Sequence, residues 1–305
     1  MNRQNNRPGK RDDVIIGWPI NRQAFRAADL GPKIFLVRQK FQKPMEIGMV
    51  GLGRMGGNMA RRLIQGNHTI HVYDPSLDAV AASVQEGSVG TGTLELLVES
   101  LITPRAIWVM VPDGAPTEET ISQLGSLLSS NDVVIDGGNS NYKDSMRHAE
   151  ELAAQGVKFL DSGTSGGIWG LEEGYSLMVG GDESAYRRLE SIFDTLAPSK
   201  VSGHGYVGPA GSGHFTKMIH NGIEYGMMQA FAEGFEILKA KEEFDLDLAQ
   251  IAEIWRDGSV VRSWLLDLTA NALNEDAELS EISAYVDDSG EGRWMVAESI
   301  DLGVP

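Results

Sequence analysis

A short apolar stretch, a glycine-rich turn and an amphipathic helix follow one another at residues 46–66 of this 305-residue chain, EIGMVGLGRMGGNMARRLIQG. No other feature narrows its possible folds so far. An apolar run that turns through glycines directly into a helix is the first half of a parallel βαβ unit. The alternation continues downstream. Apolar runs TIHVYD, AIWVMVPD, DVVIDGG, VKFLDSG and SLMVGG are spaced by helical segments such as TEETISQLGSLL. That order predicts an α/β fold built on a doubly wound parallel sheet with crossover helices. After about Pro209 the strands stop. Residues 211–272 read as long helices and 276–299 as mixed but largely helical, so an all-α domain should follow the sheet.

The turn itself carries chemistry. Gly51, Leu52, Gly53, Arg54, Met55 and Gly56 form a GxGxxG element that follows a strand and opens a helix, the context of a dinucleotide site in a Rossmann-type domain. Gly51 permits the tight turn, Gly53 lets a pyrophosphate approach the backbone, and Gly56 lets helix and strand pack closely. The helix N-terminus then faces the phosphates. Asp74 ends the second strand, 18 residues beyond Gly56. A carboxylate there accepts hydrogen bonds from both adenosine ribose hydroxyls and repels a 2′-phosphate, which favours NAD over NADP. The plainer reading of Asp74 is a turn former before Pro75. Val111, Pro112 and Asp113 end a later strand and begin a loop under the cofactor. Gly137, Gly138 and Asn139 lie at another strand end, where open parallel sheets bind ligands.

Charge divides unevenly. Residues 1–44 carry ten Lys/Arg and three Asp, whereas 45–305 hold 16 basic and 40 acidic residues. An acidic body argues against nucleic acid as a partner, though not against a small phosphorylated substrate that needs a few local cations. No apolar run is long enough for a membrane helix, so no membrane partner is expected. There is no cysteine, which excludes disulfides and thiolate catalysis, and the six histidines lack ligand spacing, so no metal site is expected. Residues 1–44 are Arg-rich and aperiodic. They lack the features of a signal peptide and are poor in Ser for a transit peptide. They read as a disordered or non-native extension, because Met45 opens the first strand directly.

Within 211–244, Lys217, His220, Asn221, Glu224 and Tyr225 recur at i, i+3, i+4, i+7 and i+8, which puts all five on one helical face. Met218, Ile219, Ile223, Met227 and Met228 fill much of the remainder, so burial on several sides is expected. A buried stripe of amine, imidazole, amide, carboxylate and phenol is costly without partners. A satisfied polar seam between helices is one reading. A reactive site is the other, since perturbed ionisable groups cluster where chemistry occurs.

KMIHNGIEYG resembles the signature helix of the 6-phosphogluconate dehydrogenases, the decarboxylating enzymes of the pentose phosphate pathway. The resemblance runs from Met45 to the C-terminus, through GLGRMG, DGGNS and SGTSGG in the family's order. It implies a cytoplasmic enzyme, a homodimer or higher homo-oligomer, that oxidises and decarboxylates a small phosphorylated sugar acid. It also implies the division into a dinucleotide-binding domain at 45–210 and a helical substrate and dimerisation domain at 211–305. Short-form relatives continue beyond the equivalent of Pro305, so that domain is expected to be incomplete at its C-terminus.

Site roles follow from the same resemblance. Lys217 is the base that takes the hydroxyl proton and later polarises the ketone, and Glu224 protonates the enediol. Asn139 lies between nicotinamide and substrate. Ser165, Gly166 and Gly167 form the substrate-carboxylate loop, His220 and Asn221 hold hydroxyls, and Tyr225 meets the phosphate. Arg293 occupies a position where longer members have lysine and would hold the phosphate bidentately, with Arg262 a second candidate. NADP-dependent members usually carry Asn-Arg-Thr where this chain has Asp74-Pro75-Ser76, a departure that again favours NAD. The rival is a non-decarboxylating β-hydroxyacid dehydrogenase of the 3-hydroxyisobutyrate type, which usually lacks the HNGIEYG pattern.

Overall fold

The apolar runs pair into a single sheet in the computed structural model, which describes residues 43–199 and 202–304. The extension expected at 1–44 lies outside the described residues except for Lys43 and Pro44, which are exposed. Eight described strands form the sheet: β1 (Glu46–Val50), β2 (Thr69–Tyr73), β3 (Val89–Gly90), β4 (Ala106–Val109), β5 (Val133–Asp136), β6 (Lys158–Ser165), β7 (Ser176–Gly181) and β8 (His204–Gly208). Their order is β3-β2-β1-β4-β5-β6-β7-β8. The chain builds outward from β1 to β3, then returns to lay β4 on the other side of β1. That reversal is a topological switch point, and ligands bind outside the strand ends there. Register reinforces it. Val50 sits beside Val109, and Val109 beside Asp136, so the loops after β1, β4 and β5 open side by side.

Helices α1 (Arg54–Gln65), α2 (Leu77–Gln85), α3 (Leu94–Ser100), α4 (Ala115–Leu127), α5 (Tyr142–Ala153), α6 (Gly170–Glu173), α7 (Glu183–Arg188) and α8 (Glu190–Leu196) intervene between strands. Gly56, Met59, Ala60 and Leu63 are the buried residues of α1, the i, i+3, i+4, i+7 spacing of one core-facing stripe. Met59, Ala60 and Leu63 join Trp108, Phe193 and Leu196 in one core layer, while Leu97, Ile121, Leu124, Leu152 and Phe159 form the layer on the opposite face. Covered on both sides, the central strands are predominantly apolar, which is why they read so clearly in the sequence.

The sheet departs from the all-parallel expectation at β7, which pairs antiparallel with β6. Only residues 166–175 join the two strands, fewer than the dozen or more that a parallel crossover requires. Strands β3 and β8 were not foreseen. One is two residues long, and the other, HGYVG, is too rich in glycine to show a strand pattern.

Four helices follow: α9 (Ser212–Ala240), α10 (Leu248–Arg256), α11 (Trp264–Glu275) and α12 (Glu291–Leu302). Phe235, Ala252, Leu266, Ala270 and Leu273 make a small separate core among the first three. Two expectations are corrected here. Residues 277–290 are not helical, because Asp276 turns the chain by accepting hydrogen bonds from the Glu278 and Glu281 N–H groups and the Ser280 hydroxyl. Helix α9 is not buried on several sides either. Met218 is buried, but Ile223, Met227 and Met228 are exposed, since no described element covers that flank.

The first turn of α9 is anchored from the sheet. Its N-cap, Gly211, has no side chain to satisfy the open N–H groups. Asp161 of β6 does so instead. Its carboxylate, fully buried, accepts from the Gly211 N–H and the His214 N–H, each at 2.8 Å. A negative charge at this end also complements the helix dipole. Asp161→Ala should therefore lower stability by about 2–3 kcal/mol, the scale of losing charge-assisted hydrogen bonds in a buried site. Asp161→Asn should cost less, because its amide oxygen still accepts one of the two. Urea unfolding followed by circular dichroism checks this, and an Asp161→Ala midpoint equal to the parent's would contradict it.

Candidate active site

The loops at the switch point and the exposed side of early α9 enclose a cleft of about 580 Å³. One wall is the glycine loop. Gly51 has φ +92°, and a Cβ there would lie 2.3 Å from the Met110 carbonyl oxygen, so only glycine fits. A Cβ at Gly56 would lie 2.0 Å from the Gly51 carbonyl oxygen, so α1 needs glycine to pack this close. Around Gly53 the space is open. Helix α1 has no side-chain cap and no acidic residue in its first turn. Its N-terminal N–H groups thus face an open approach, which fits the pyrophosphate of a dinucleotide. Gly53, Arg54, Met55, Gly56, Val111, Pro112, Gly138 and Asn139 line the cleft; Gly51, Leu52, Asp74 and Asp113 do not. The Asp74 carboxylate accepts from the Leu52 N–H at 2.7 Å and the Ser76 N–H at 2.8 Å, which fixes it at the lip of the glycine loop. Each of its oxygens keeps a further lone pair for a ribose hydroxyl.

The opposite wall comes from α9 and the turn after β6. Lys217, Asn221, Glu224 and Tyr225 line the cleft together with Thr164, Ser165, Gly166 and Gly167. Lys217 Nζ donates to Asn221 Oδ1 at 2.6 Å. The same oxygen meets His220 Nδ1 at 3.1 Å, which favours the proton on that ring nitrogen and leaves Nε2 to accept from the Ser165 hydroxyl at 3.4 Å. Glu224 Oε2 is 3.7 Å from His220 Nδ1. Burial pushes the Lys217 amine below the ordinary lysine range, opposed by the negative charges of Glu224 and Glu291. Gly166 and Gly167 both have positive φ, 130° and 53°, so the turn after β6 is open to glycine and little else. Tyr225 and Asn139 meet the same short segment: the phenol is 3.3 Å from Ser289 Oγ, and the Asn139 amide donates to the Ser289 carbonyl at 3.5 Å.

Two of the expected residues stand apart. Arg293 is 74% exposed at its side chain and pairs with Asp288 at 2.8 Å. Arg262 is exposed, just before α11, beside Ser263 and Trp264 of a second groove that also contains His220 and Glu224.

The sequence reading missed four residues that shape the site. Asp161 anchors α9, as described. Gly163 lies two residues further along β6, and a Cβ there would come within 2.4 Å of Lys217 Cβ and 2.7 Å of the Gly213 carbonyl oxygen. His214 is buried, with Nδ1 on Ser145 Oγ at 2.7 Å. Glu291 is 2% exposed, and burial pushes its carboxyl up to about 7, against the opposing pull of Lys217 and His214. One signal was available. An aspartate inside the apolar strand VKFLDSG demands a partner. Glu291, by contrast, reads as an ordinary acidic residue at a helix start.

Comparison with known proteins gives a consistent result. Residues 46–208 match the NAD binding domain of 6-phosphogluconate dehydrogenase, and residues 213–305 match the 6-phosphogluconate dehydrogenase C-terminal domain. A Haloferax volcanii protein described as 6-phosphogluconate dehydrogenase, NAD(+)-dependent, decarboxylating, is 43% identical over 262 residues, covering 86% of each chain. Among solved structures, the Plasmodium falciparum 6-phosphogluconate dehydrogenase superposes with a TM-score of 0.78 at 30% identity, covering 85% of this chain and 59% of that one. A Salmonella typhimurium 3-hydroxyisobutyrate dehydrogenase superposes with a TM-score of 0.68 at 20% identity, over 86% of this chain and 89% of that one, a likeness of fold alone.

The contact between Gly163 and Lys217 generates a prediction. Gly163→Ala forces α9 away from the sheet, since the atoms it would meet are backbone and the root of a side chain. Displacing a reacting group by about 1 Å costs on the order of 10²-fold in turnover. Steady-state kinetics on a variant with unchanged far-UV circular dichroism measures it; turnover within twofold of the parent would refute the argument.

Proposed function

The chain belongs to the 6-phosphogluconate dehydrogenase family, and on that premise we propose that it converts 6-phospho-D-gluconate to D-ribulose 5-phosphate and CO2 with reduction of NAD. The observation that carries the reading is the meeting of Lys217, Asn221 and Glu224 with the glycine loop in one cleft.

Bound NAD supplies the hydride acceptor. Gly53 and the start of α1 would hold its pyrophosphate, and Asp74 its adenosine ribose. The remaining steps fall to side chains. A neutral Lys217 takes the proton from the hydroxyl β to the substrate carboxylate. As an ammonium it then polarises the new ketone, so that the electron pair released with CO2 settles on oxygen. Glu224, two turns along the same face, returns a proton to carbon and completes the product. Ser165, Gly166 and Gly167 would receive the substrate carboxylate, and His220 and Asn221 its hydroxyls. Tyr225 would meet the phosphate, with Arg293 the first cation and Arg262 the second. Breaking the exposed Arg293–Asp288 pair costs little.

A non-decarboxylating β-hydroxyacid dehydrogenase needs the base but has no use for a carbon-directed acid, so Glu224 in the cleft supports decarboxylation. A homodimer or higher homo-oligomer belongs to the same reading, supported by the exposed Ile223, Met227, Met228 and Trp264 along the helices. So does a cytoplasmic setting, because neither NAD nor a phosphorylated sugar acid crosses a bilayer unaided. Among the described residues no helix is long and apolar enough to span a membrane. The proposed functional division is 45–210 for the cofactor and 211–305 for substrate and assembly.

Three experiments test the assignment. Catalytic efficiency with NAD should exceed that with NADP, since Asp74 would confront a 2′-phosphate with no arginine beside it. Replacing Asp74, Pro75 and Ser76 together by Asn, Arg and Thr should reverse the order, and a parent that prefers NADP would refute the role of Asp74. Lys217→Met should abolish NADH and CO2 production together, whereas Glu224→Gln should slow turnover by about 10²–10⁴-fold while leaving substrate affinity nearly intact. The base acts only when neutral, and Lys217 is shifted below the ordinary lysine value, so rates should rise with pH through a midpoint below that value. Near-normal turnover in either variant would remove that residue from its role.

A further inference from the structure

Three of the side chains proposed to meet the substrate are engaged by a single turn of the chain. Asn139, in the loop after β5, donates its amide to the Ser289 carbonyl at 3.5 Å. The Tyr225 hydroxyl, on α9, lies 3.3 Å from Ser289 Oγ. Arg293, on α12, pairs through Nε with Asp288 Oδ2 at 2.8 Å. Two consecutive residues thus present three oxygens to an amide, a phenol and a guanidinium drawn from three separate elements. A phosphate and the hydroxyls beside it would present oxygens to the same groups. None of the three contacts is strong. The ion pair joins side chains that are 74% and 59% exposed, and the two hydrogen bonds lie beyond the ordinary range of lengths. The turn also has room to move. Residues 277–289 are exposed and not helical, and Gly290 follows with φ +87°, a break before α12. Downstream, α12 itself is held. Tyr142 of α5 donates to Glu298 Oε2 at 2.6 Å, and Met295 fills the space over Gly222 of α9. The turn can therefore leave while the helix stays.

We propose that Asp288 and Ser289 form a specificity-determining turn, an internal competitor that occupies Arg293, Tyr225 and Asn139 and yields them to a ligand bearing a phosphate. The reason is charge. Asp288 brings one negative charge to Arg293, whereas a phosphate monoester carries about 1.5 to 2 near pH 7 and offers two oxygens to the guanidinium fork. Such a ligand gains by the exchange. A sugar acid without the phosphate offers Arg293 only neutral hydroxyls, so the turn keeps its place. The proposal rests on the reading of the substrate as a phosphorylated sugar acid, and its tests are chosen to fail separately from that reading.

Asp288→Asn keeps an oxygen for the Gly290 N–H, which donates to Asp288 Oδ1 at 2.8 Å, and removes the charge from Arg293. KM for 6-phosphogluconate should fall by about two- to fivefold, the scale of one exposed ion pair, with kcat little changed. The constant for competitive inhibition by inorganic phosphate should fall by the same factor. If Asp288 only shapes the helix start, both constants stay in place or rise, and that result overturns the proposal. Arg293→Ala separates the two readings. A raised KM there, beside an unmoved KM in Asp288→Asn, keeps the phosphate role and removes the competitor. An unmoved KM in Arg293→Ala removes both. Trp294 supplies a readout without turnover, because its ring packs on the turn: a Cβ on Gly290 would lie 2.8 Å from it. In protein labelled with 5-fluorotryptophan, the ¹⁹F resonance that Trp294→Phe lacks should shift when 6-phosphogluconate is added without cofactor, and should stay in place with gluconate. A Trp294 resonance that ignores saturating 6-phosphogluconate, or that moves equally with gluconate, sinks the displacement.

Discussion

The active site hangs on one strand-to-helix contact. Side chains along β6 alternate between faces, so Asp161, Gly163 and Ser165 point the same way. Each meets α9 at a successive turn: Asp161 accepts from the backbone of Gly211 and His214, Gly163 makes room for Lys217, and Ser165 reaches His220. A charged anchor, a missing side chain and a polar contact thus fix the helix in position, depth and rotation. If the anchor were lost, the helix start would hold two buried N–H groups without partners, and the lysine two turns away would lose its reference to the sheet.

That arrangement explains how an acidic protein manages an anionic substrate. The excess of carboxylates lies over the body as a whole, and the cleft carries its own local logic. Open helix N–H groups at α1 and adjacent positive-φ glycines after β6 offer backbone donors for anions, which need no net positive charge. The amine of Lys217 is half-buried, and its contact partner is the amide oxygen of Asn221. An amide accepts a hydrogen bond from ammonium without binding the proton as a carboxylate would, so the lysine is held in place and still free to lose its proton.

Much of this was legible in the sequence, for physical reasons that also mark where legibility ended. The Rossmann-type order came through because strands covered on both faces are predominantly apolar, and because the glycine turn has few structural uses. The five polar residues of α9 were visible as a stripe because helix periodicity converts spacing into direction. What failed was whatever depended on length or on a distant partner. The antiparallel β7 follows from a connection too short for a crossover, a matter of a few residues. The coil at 277–290 was misread because the caps made by Asp276 look like any acidic turn. Burial of α9 was overestimated because apolar residues signal contact without saying whether the contact is made within the chain. Arg293 and Arg262 entered as candidates to hold the phosphate, the first from its place in the family's pattern, and both side chains stand exposed outside the cleft.

Glu291 shows the deepest version of that limit. In the sequence it stands between two glycines at the start of a helix, beside an arginine that drew the attention. Its significance comes from packing: the glycines on both sides of the interface, Gly222 and Gly292, allow α12 to approach α9 closely enough to bury the carboxyl. Burial removes the water that would have kept it an ordinary surface acid, and pushes its carboxyl up to about 7.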